Sequence, residues 1–135
     1  MTHAHPTATV ALGAQRFVSL TTFKKDGSAV ATPVWVAQSG DVLVVTTPAE
    51  SYKVKRLRRD PRVLLVPCGR TGKVAEGERP VEGTAEIVTD PAEVDRMTRL
   101  VRRKYGLEYR VTMLVERVVA RGRRPRVILR IALSE

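Results

Sequence analysis

Residues 32–63, TPVWVAQSGDVLVVTTPAESYKVKRLRRDPRV, constrain the fold of this chain more than any other stretch. They read as a β-strand, a Gly40-Asp41 turn, a second strand and a short helix that opens at Ser51. Two apolar strands thus lead into a helix N-terminus surrounded by Lys53, Lys55, Arg56, Arg58 and Arg59. The free N–H groups and dipole of a helix N-terminus already favour anions. The added cations point to a phosphate anchor, and an apolar wall beside such an anchor is what a flavin-like cofactor needs.

The flanking sequence extends the β pattern. Arg16–Lys24 alternates as a strand, with Phe17, Ser19, Thr21 and Phe23 on one face. Asp26-Gly27 is a turn signal, and Ala29–Ala37 follows as a strand interrupted at Pro33, which suits an edge or a bulge. Val42–Thr46 is the next strand. The helix over 51–59 ends at Asp60-Pro61, because the residue before proline disfavours helix. Arg62–Cys68 and Val81–Val88 are further strands, with Lys73–Ala75 irregular between them. Asp90, Pro91 and Glu93 form an N-cap, a first-turn proline and a capping box. Val94, Met97, Leu100, Val101 and Tyr105 then recur at helical spacing up to Gly106. Two strands, near Met113–Arg121 and Arg126–Leu133, are expected to close the chain. The expected fold is mainly β: a six- to seven-stranded barrel with short helices at its rim. Residues 1–15 form a tail with a helical turn near Thr9–Gln15, and 16–135 a single domain.

Charge narrows the partners. The chain has 135 residues and a net charge of +10. The cations come in two blocks, 53–62 and 96–130, around an acidic middle from Glu76 to Asp90. Nucleic acid, acidic lipid and an anionic cofactor are all candidates for such a field. Nucleic acid is disfavoured, because the few aromatic residues show no pattern for stacking bases. No apolar run approaches the roughly 20 residues of a membrane span. The start MTHAHPTATV lacks the features of a secretory signal, and Cys68 stands alone, so a cytoplasmic protein is expected.

Protein-based catalytic groups are missing. No serine lies in a nucleophile-elbow context. His3 and His5 are two ligands on a terminus, a poor metal site. Gly69–Lys73 has the wrong spacing for a P-loop. Such a gap is expected where a cofactor supplies the chemistry.

Within the helix at 51–59, Val54 and Leu57 share one stripe that would pack on the barrel. Lys53 lies in the first turn and is the best candidate for a phosphate contact. Lys55, Arg56 and Arg59 are placed to meet a longer anionic tail.

The segments RFVSLTTFKKDGSAVATPVWV, VTTPAESYKVKRLRRDPRV and RRKYGLEYR resemble the split β-barrel, pyridoxamine-phosphate-oxidase-like oxidoreductases. Within them the match is to the deazaflavin-dependent branch that uses coenzyme F420. Relatives that use flavin mononucleotide (FMN) tend to carry Ser-Arg-Lys where this chain has Ser51-Tyr52-Lys53, so Tyr52 favours the deazaflavin. The resemblance implies an FMN-binding split barrel and a homodimer with the cofactor between subunits. It implies that strand backbone at Thr32, Pro33, Val34 and Trp35, and at Thr46 and Thr47, lines the cofactor ring. Ser51, Lys53, Lys55 and Arg56 would hold its anionic part. The implied activity is hydride transfer from reduced F420 to a small unsaturated organic acceptor. The alternatives are an FMN oxidoreductase on the same fold and a non-catalytic protein that binds F420 or a tetrapyrrole. Trp35 itself is expected to serve the core or a dimer interface rather than stack on the ring.

Overall fold

A computed structural model describes residues 6–119 and 125–134. Its strands are β1 (Val18–Phe23), β2 (Ala29–Val34), β3 (Ala37–Ser39), β4 (Val42–Pro48), β5 (Arg62–Pro67), β6 (Val81–Val88) and β7 (Arg126–Leu133). Its helices are α1 (Pro6–Gly13), α2 (Tyr52–Arg59), α3 (Pro91–Tyr105) and α4 (Leu107–Val119). All seven strands pair antiparallel in one sheet, in the order β2-β1-β5-β6-β7-β4-β3. The fold is mainly β, a curled half-barrel, as the sequence predicts.

The expected strand Ala29–Ala37 is in fact two. It breaks at Trp35-Val36, and its halves become the two opposite edges of the sheet. Laid flat, seven strands would span about 29 Å. The three peptide steps from Val34 to Ala37 reach only about 10–11 Å. The sheet must therefore curl until its edges nearly meet.

Inside the curl, Leu20, Leu43, Val45, Leu65, Leu129 and Ile131 are fully buried. Val54 and Leu57 of α2 are buried too, as their shared stripe requires. A second cluster lies under α3, where Met97, Val101 and Tyr105 cover Val44 and Ile128. β4 therefore buries both faces, and its polar turns fall outside the strand.

The end of α3 secures the break. The Tyr105 hydroxyl accepts from Val36 N–H at 2.9 Å and donates to Arg16 O at 2.8 Å, with Val36 O as a second acceptor at 3.0 Å. The Lys104 ammonium donates to Gly13 O (2.7 Å), Val36 O (2.6 Å) and Gln15 O. Burial, with Arg16 adding repulsion, pushes Lys104 down to about 8, so its three acceptors still meet an ammonium at neutral pH. Trp35 stacks on Tyr105 at 4.6 Å, which supports its expected packing role.

One expected strand is overturned. The segment Met113–Arg121 is helical as far as the described residues go, to Val119, as the second half of α4; residues 120 and 121 lie outside them. β-Branched Val111, Val115, Val118 and Val119 suggest strand by propensity. The apolar positions 107, 111, 114, 115 and 118 nevertheless follow helical spacing. Gly106, at φ +55°, ends α3 and redirects the chain into α4. The helical turn expected at Thr9–Gln15 begins earlier, as α1. His3 and His5 lie outside the described residues.

Tyr105→Phe should destabilise the fold by about 1–3 kcal/mol, because it orphans the buried Val36 N–H. Tyr109, whose ring also lies near Trp35, has no hydroxyl partner among the described residues. Tyr109→Phe should therefore leave the urea midpoint nearly unchanged. Equal midpoint shifts for the two variants would show that the hydroxyl does not hold the break.

Candidate functional site

The register places the rim of the barrel opposite the break. Thr46, Thr47 and Pro48 end β4 against Ile128, Val127 and Arg126 of β7. Three residues on, Ser51 caps α2: its hydroxyl accepts from Val54 N–H at 3.4 Å and lies 3.3 Å from Thr47 Oγ1. Because Val54 and Leu57 fix α2 to the barrel, Lys53 is turned toward a groove of about 240 Å³. Pro33, Val34 and Trp35 form one apolar wall of that groove, with Phe17 beside them. Thr46, Thr47, Lys53 and Arg126 line it as well. Met113 and Glu116 of α4 complete it.

Lys53 is the electrostatic centre. It is half-buried, and burial pushes its ammonium below the usual lysine range, with Arg56 and Arg126 pushing the same way. Among the described residues no carboxylate pairs with it, and the first turn of α2 holds no acid. Arg126 is occupied on one side: it pairs with Glu116 at 2.6 Å and donates from Nε to Thr46 Oγ1 at 3.0 Å. A half-buried, unpaired ammonium beside two guanidiniums and a helix N-terminus is stabilised by an anion.

Six of the predicted site residues thus line one groove: Pro33, Val34, Trp35, Thr46, Thr47 and Lys53. The others sit elsewhere. Thr32 does not line the groove; its hydroxyl is buried and has no partner among the described residues. Ser51 is engaged as the helix cap. Lys55 is exposed, its ammonium 5.2 Å from the centre of the Tyr52 ring. Arg56 is not part of an open fan, since its Nε donates to Thr22 Oγ1 at 2.7 Å, and Arg59 reaches Phe23 O at 3.4 Å. Both arginines lie along β1. Cys68 is partly buried, and burial pushes its thiol up, which favours the protonated form.

Arg126, Glu116 and Met113 escape the sequence reading. Met113 and Glu116 face the groove only because their segment is a helix. The available signal for Arg126 is a cation opening the otherwise apolar strand RVILRIAL.

The residues present suit a flat, phosphate-bearing group: apolar walls, an unpaired cation and an orphaned buried hydroxyl nearby. The profile of the pyridoxamine 5′-phosphate oxidase family matches residues 5–135. No curated protein matches the sequence. Several solved structures share the fold. A conserved hypothetical protein from Mycobacterium tuberculosis is 24% identical, with a TM-score of 0.70 over 98% of this chain and 82% of that one. A FAD-binding protein from Mesorhizobium loti is 19% identical, with a TM-score of 0.68 over 100% and 91%. An F420 reductase is 20% identical, with a TM-score of 0.60 over 93% and 92%. At these identities the likeness is one of fold.

An anion in the groove should raise the Lys53 pKa, since it favours the charged form. With lysines ¹³C-methylated and the Lys53 signal assigned through Lys53→Ala, pyrophosphate should move its titration upward. A titration that stays put at saturating pyrophosphate would exclude Lys53 from an anion site.

Proposed function

The chain belongs to the pyridoxamine 5′-phosphate oxidase family, and from that premise we propose that it is an oxidoreductase that binds reduced coenzyme F420 and serves hydride transfer to an unsaturated organic acceptor. The observation that carries this reading is Lys53, an unpaired and half-buried cation at the mouth of an apolar groove. Lys53 and the first-turn N–H groups of α2 hold the phosphate. Pro33, Val34 and Trp35 provide the flat wall, and the stack of Trp35 on Tyr105 keeps that wall from moving. When bound, the reduced deazaflavin supplies hydride from its C5 atom. The protein orients it and keeps water off the apolar side; the proton that completes the acceptor's reduction comes from solvent at the open end of the groove, and no side chain is assigned to carry it.

Tyr52 favours the deazaflavin over FMN. It is 74% exposed and offers no guanidinium where FMN-using relatives tend to carry arginine. With Arg56 and Arg59 turned to β1, Lys55 is the member of the basic fan left to meet the anionic tail.

A second copy of the chain is part of the same proposal. Leu107, Val111, Val115 and Val118 make an exposed stripe on α4, each more than half accessible. A stripe of this kind is a candidate interface, and the resemblance to dimeric relatives favours a two-fold partner.

Side-by-side titration with F420 and FMN tests the cofactor. F420 should bind more tightly, and its affinity should fall as salt rises, more steeply for longer glutamate tails. Lys53→Ala should weaken F420 roughly tenfold or more while the melting temperature holds, as expected for loss of a charged hydrogen bond of about 1.5–3 kcal/mol. Tighter FMN binding at every salt concentration would transfer the reading to a flavin enzyme.

Sedimentation at micromolar protein should give about twice the chain mass of 15.0 kDa. The pair Val115→Glu and Val118→Glu should halve it. A wild-type monomer that still binds cofactor would remove the second copy from the site.

A further inference from the structure

Beyond the groove at Lys53 the depression does not end. A larger cleft of about 690 Å³ shares Met113, Glu116 and Arg126 with it. Its middle is apolar, walled by Val94, Tyr109, Met113 and Leu114. Its far end is cationic, with Arg102 and Arg110, while Arg117 lines it one residue beyond Glu116. Arg102 and Arg110 continue into a third hollow of about 390 Å³ at the α3–α4 corner, where Arg99 and Arg103 join them. Cleft and groove thus form one trough with a cation at each end and an apolar stretch between.

The charges at the two ends differ in how they are satisfied. Arg126 has Glu116, whereas Arg102, Arg110 and Arg117 have no carboxylate partner among the described residues. Glu108, the acid nearest in sequence to Arg110, is turned away to Arg16 and Arg70. Arg102 lies over the Tyr109 ring at 6.0 Å, which keeps its guanidinium beside the apolar wall. The α3 C-terminus accounts for part of this charge, since cations near a helix C-terminus are favourable. The last turn of α4 accounts for Arg117 in the same way, but neither C-terminus accounts for Arg110, in the first turn of α4. At 100° per residue, Arg117 lies about 40° from Met113 on α4, while Val111, Val115 and Val118 are turned about 140–160° away from Met113. The valines of the stripe therefore face away from Met113, while Leu107 and Leu114 border both the stripe and the trough.

We infer that the trough binds an acceptor with a flat apolar body and an anionic group, a carboxylate or sulfonate, at the end remote from the reacting carbon. The body lies along Tyr109 and Met113, and the anion meets Arg102 and Arg110. A volume of about 690 Å³ lies within the roughly 300–1,000 Å³ of small-molecule sites. The position fits because an acceptor must sit against the cofactor groove, and the two share a wall. The assignment of this ligand as the hydride acceptor rests on the F420 reading; the anion selectivity of the trough does not.

Binding can be read without cofactor, through quenching of Trp35, the sole tryptophan, which lines the adjoining groove. The probes are 1,4-naphthoquinone-6-carboxylate, whose anion sits on the benzo ring remote from the quinone, and its neutral counterpart 6-methyl-1,4-naphthoquinone. The carboxylate should bind roughly tenfold more tightly, the usual effect of one charge-assisted hydrogen bond. The double variant Arg102→Gln/Arg110→Gln should lose that preference and keep the affinity for the neutral quinone. Both arginines are exposed, so the fold should survive; the circular dichroism melt and the single Arg110→Gln variant check this. Arg79→Gln, in an exposed loop, should behave as wild type. Equal affinity for the two quinones in the wild type, or a preference that survives the double variant, would overturn the inference. Loss of F420 binding with the quinone preference intact would sink the cofactor reading alone.

Discussion

The structure depends on a two-residue link. Trp35 and Val36 join β2 to β3, and those strands are the two edges of a seven-stranded sheet. So short a link is incompatible with a flat sheet, so the curl is a consequence of chain connectivity. It also leaves the backbone of Val36 between two edges, paired with neither. A buried and unpaired amide costs about twice what an ordinary hydrogen bond contributes. Tyr105 takes up the Val36 N–H, and Lys104 gathers carbonyls from Gly13, Gln15 and Val36. Two adjacent residues at the end of one helix thus tie together three segments that are far apart in sequence.

This arrangement sets the site. Trp35 belongs to the link and is held flat on Tyr105, so the apolar wall of the groove is as rigid as the closure itself. At the groove, the antiparallel register of β4 and β7 brings Arg126 beside Thr46, and the cap at Ser51 places Lys53. Trp35, Lys53 and Arg126 are thus positioned by elements packed on the core, whereas Met113 and Glu116 come from α4, which buries none of its residues. Preorganised walls of this kind lower the cost of binding a flat ligand.

The net charge of +10 also takes on structure. It is what remains after the acids are counted, and some cations are paired locally: Arg62 with Asp60, Arg96 with Glu93, Arg99 with Asp95, and Arg130 with Glu86. The cations without such partners include Lys53, Arg102, Arg110 and Arg117, and all four line the trough. Others, such as Lys24, Lys25, Lys55, Arg58 and Arg79, lie away from it, so part of the excess charge stands where a ligand can meet it. No helix among the described residues is long and apolar enough to cross a membrane.

Local rules in the sequence determine a great deal here. Turn residues at Asp26-Gly27 and Gly40-Asp41, period-two alternation, the cap at Asp90 and the stop at Gly106 define the strands and α3, because each depends on neighbours a few residues away. The same holds for α2 and its buried pair Val54 and Leu57, and hence for the position of Lys53. Tertiary structure decides the rest. Residues 29–37 read as one strand because the break at Trp35 is imposed by pairing with distant partners, β1 on one side and β4 on the other. The valines of α4 favour strand by propensity, and only the helical context lets Met113 and Glu116 face the groove. Arg56 counts as a free cation in sequence and is tied to Thr22 in space, whereas Arg126 looks like an ordinary strand residue and stands beside Lys53. Pairing partners, and the direction in which a long charged side chain is spent, are set by contacts across the sheet, and no local window contains them.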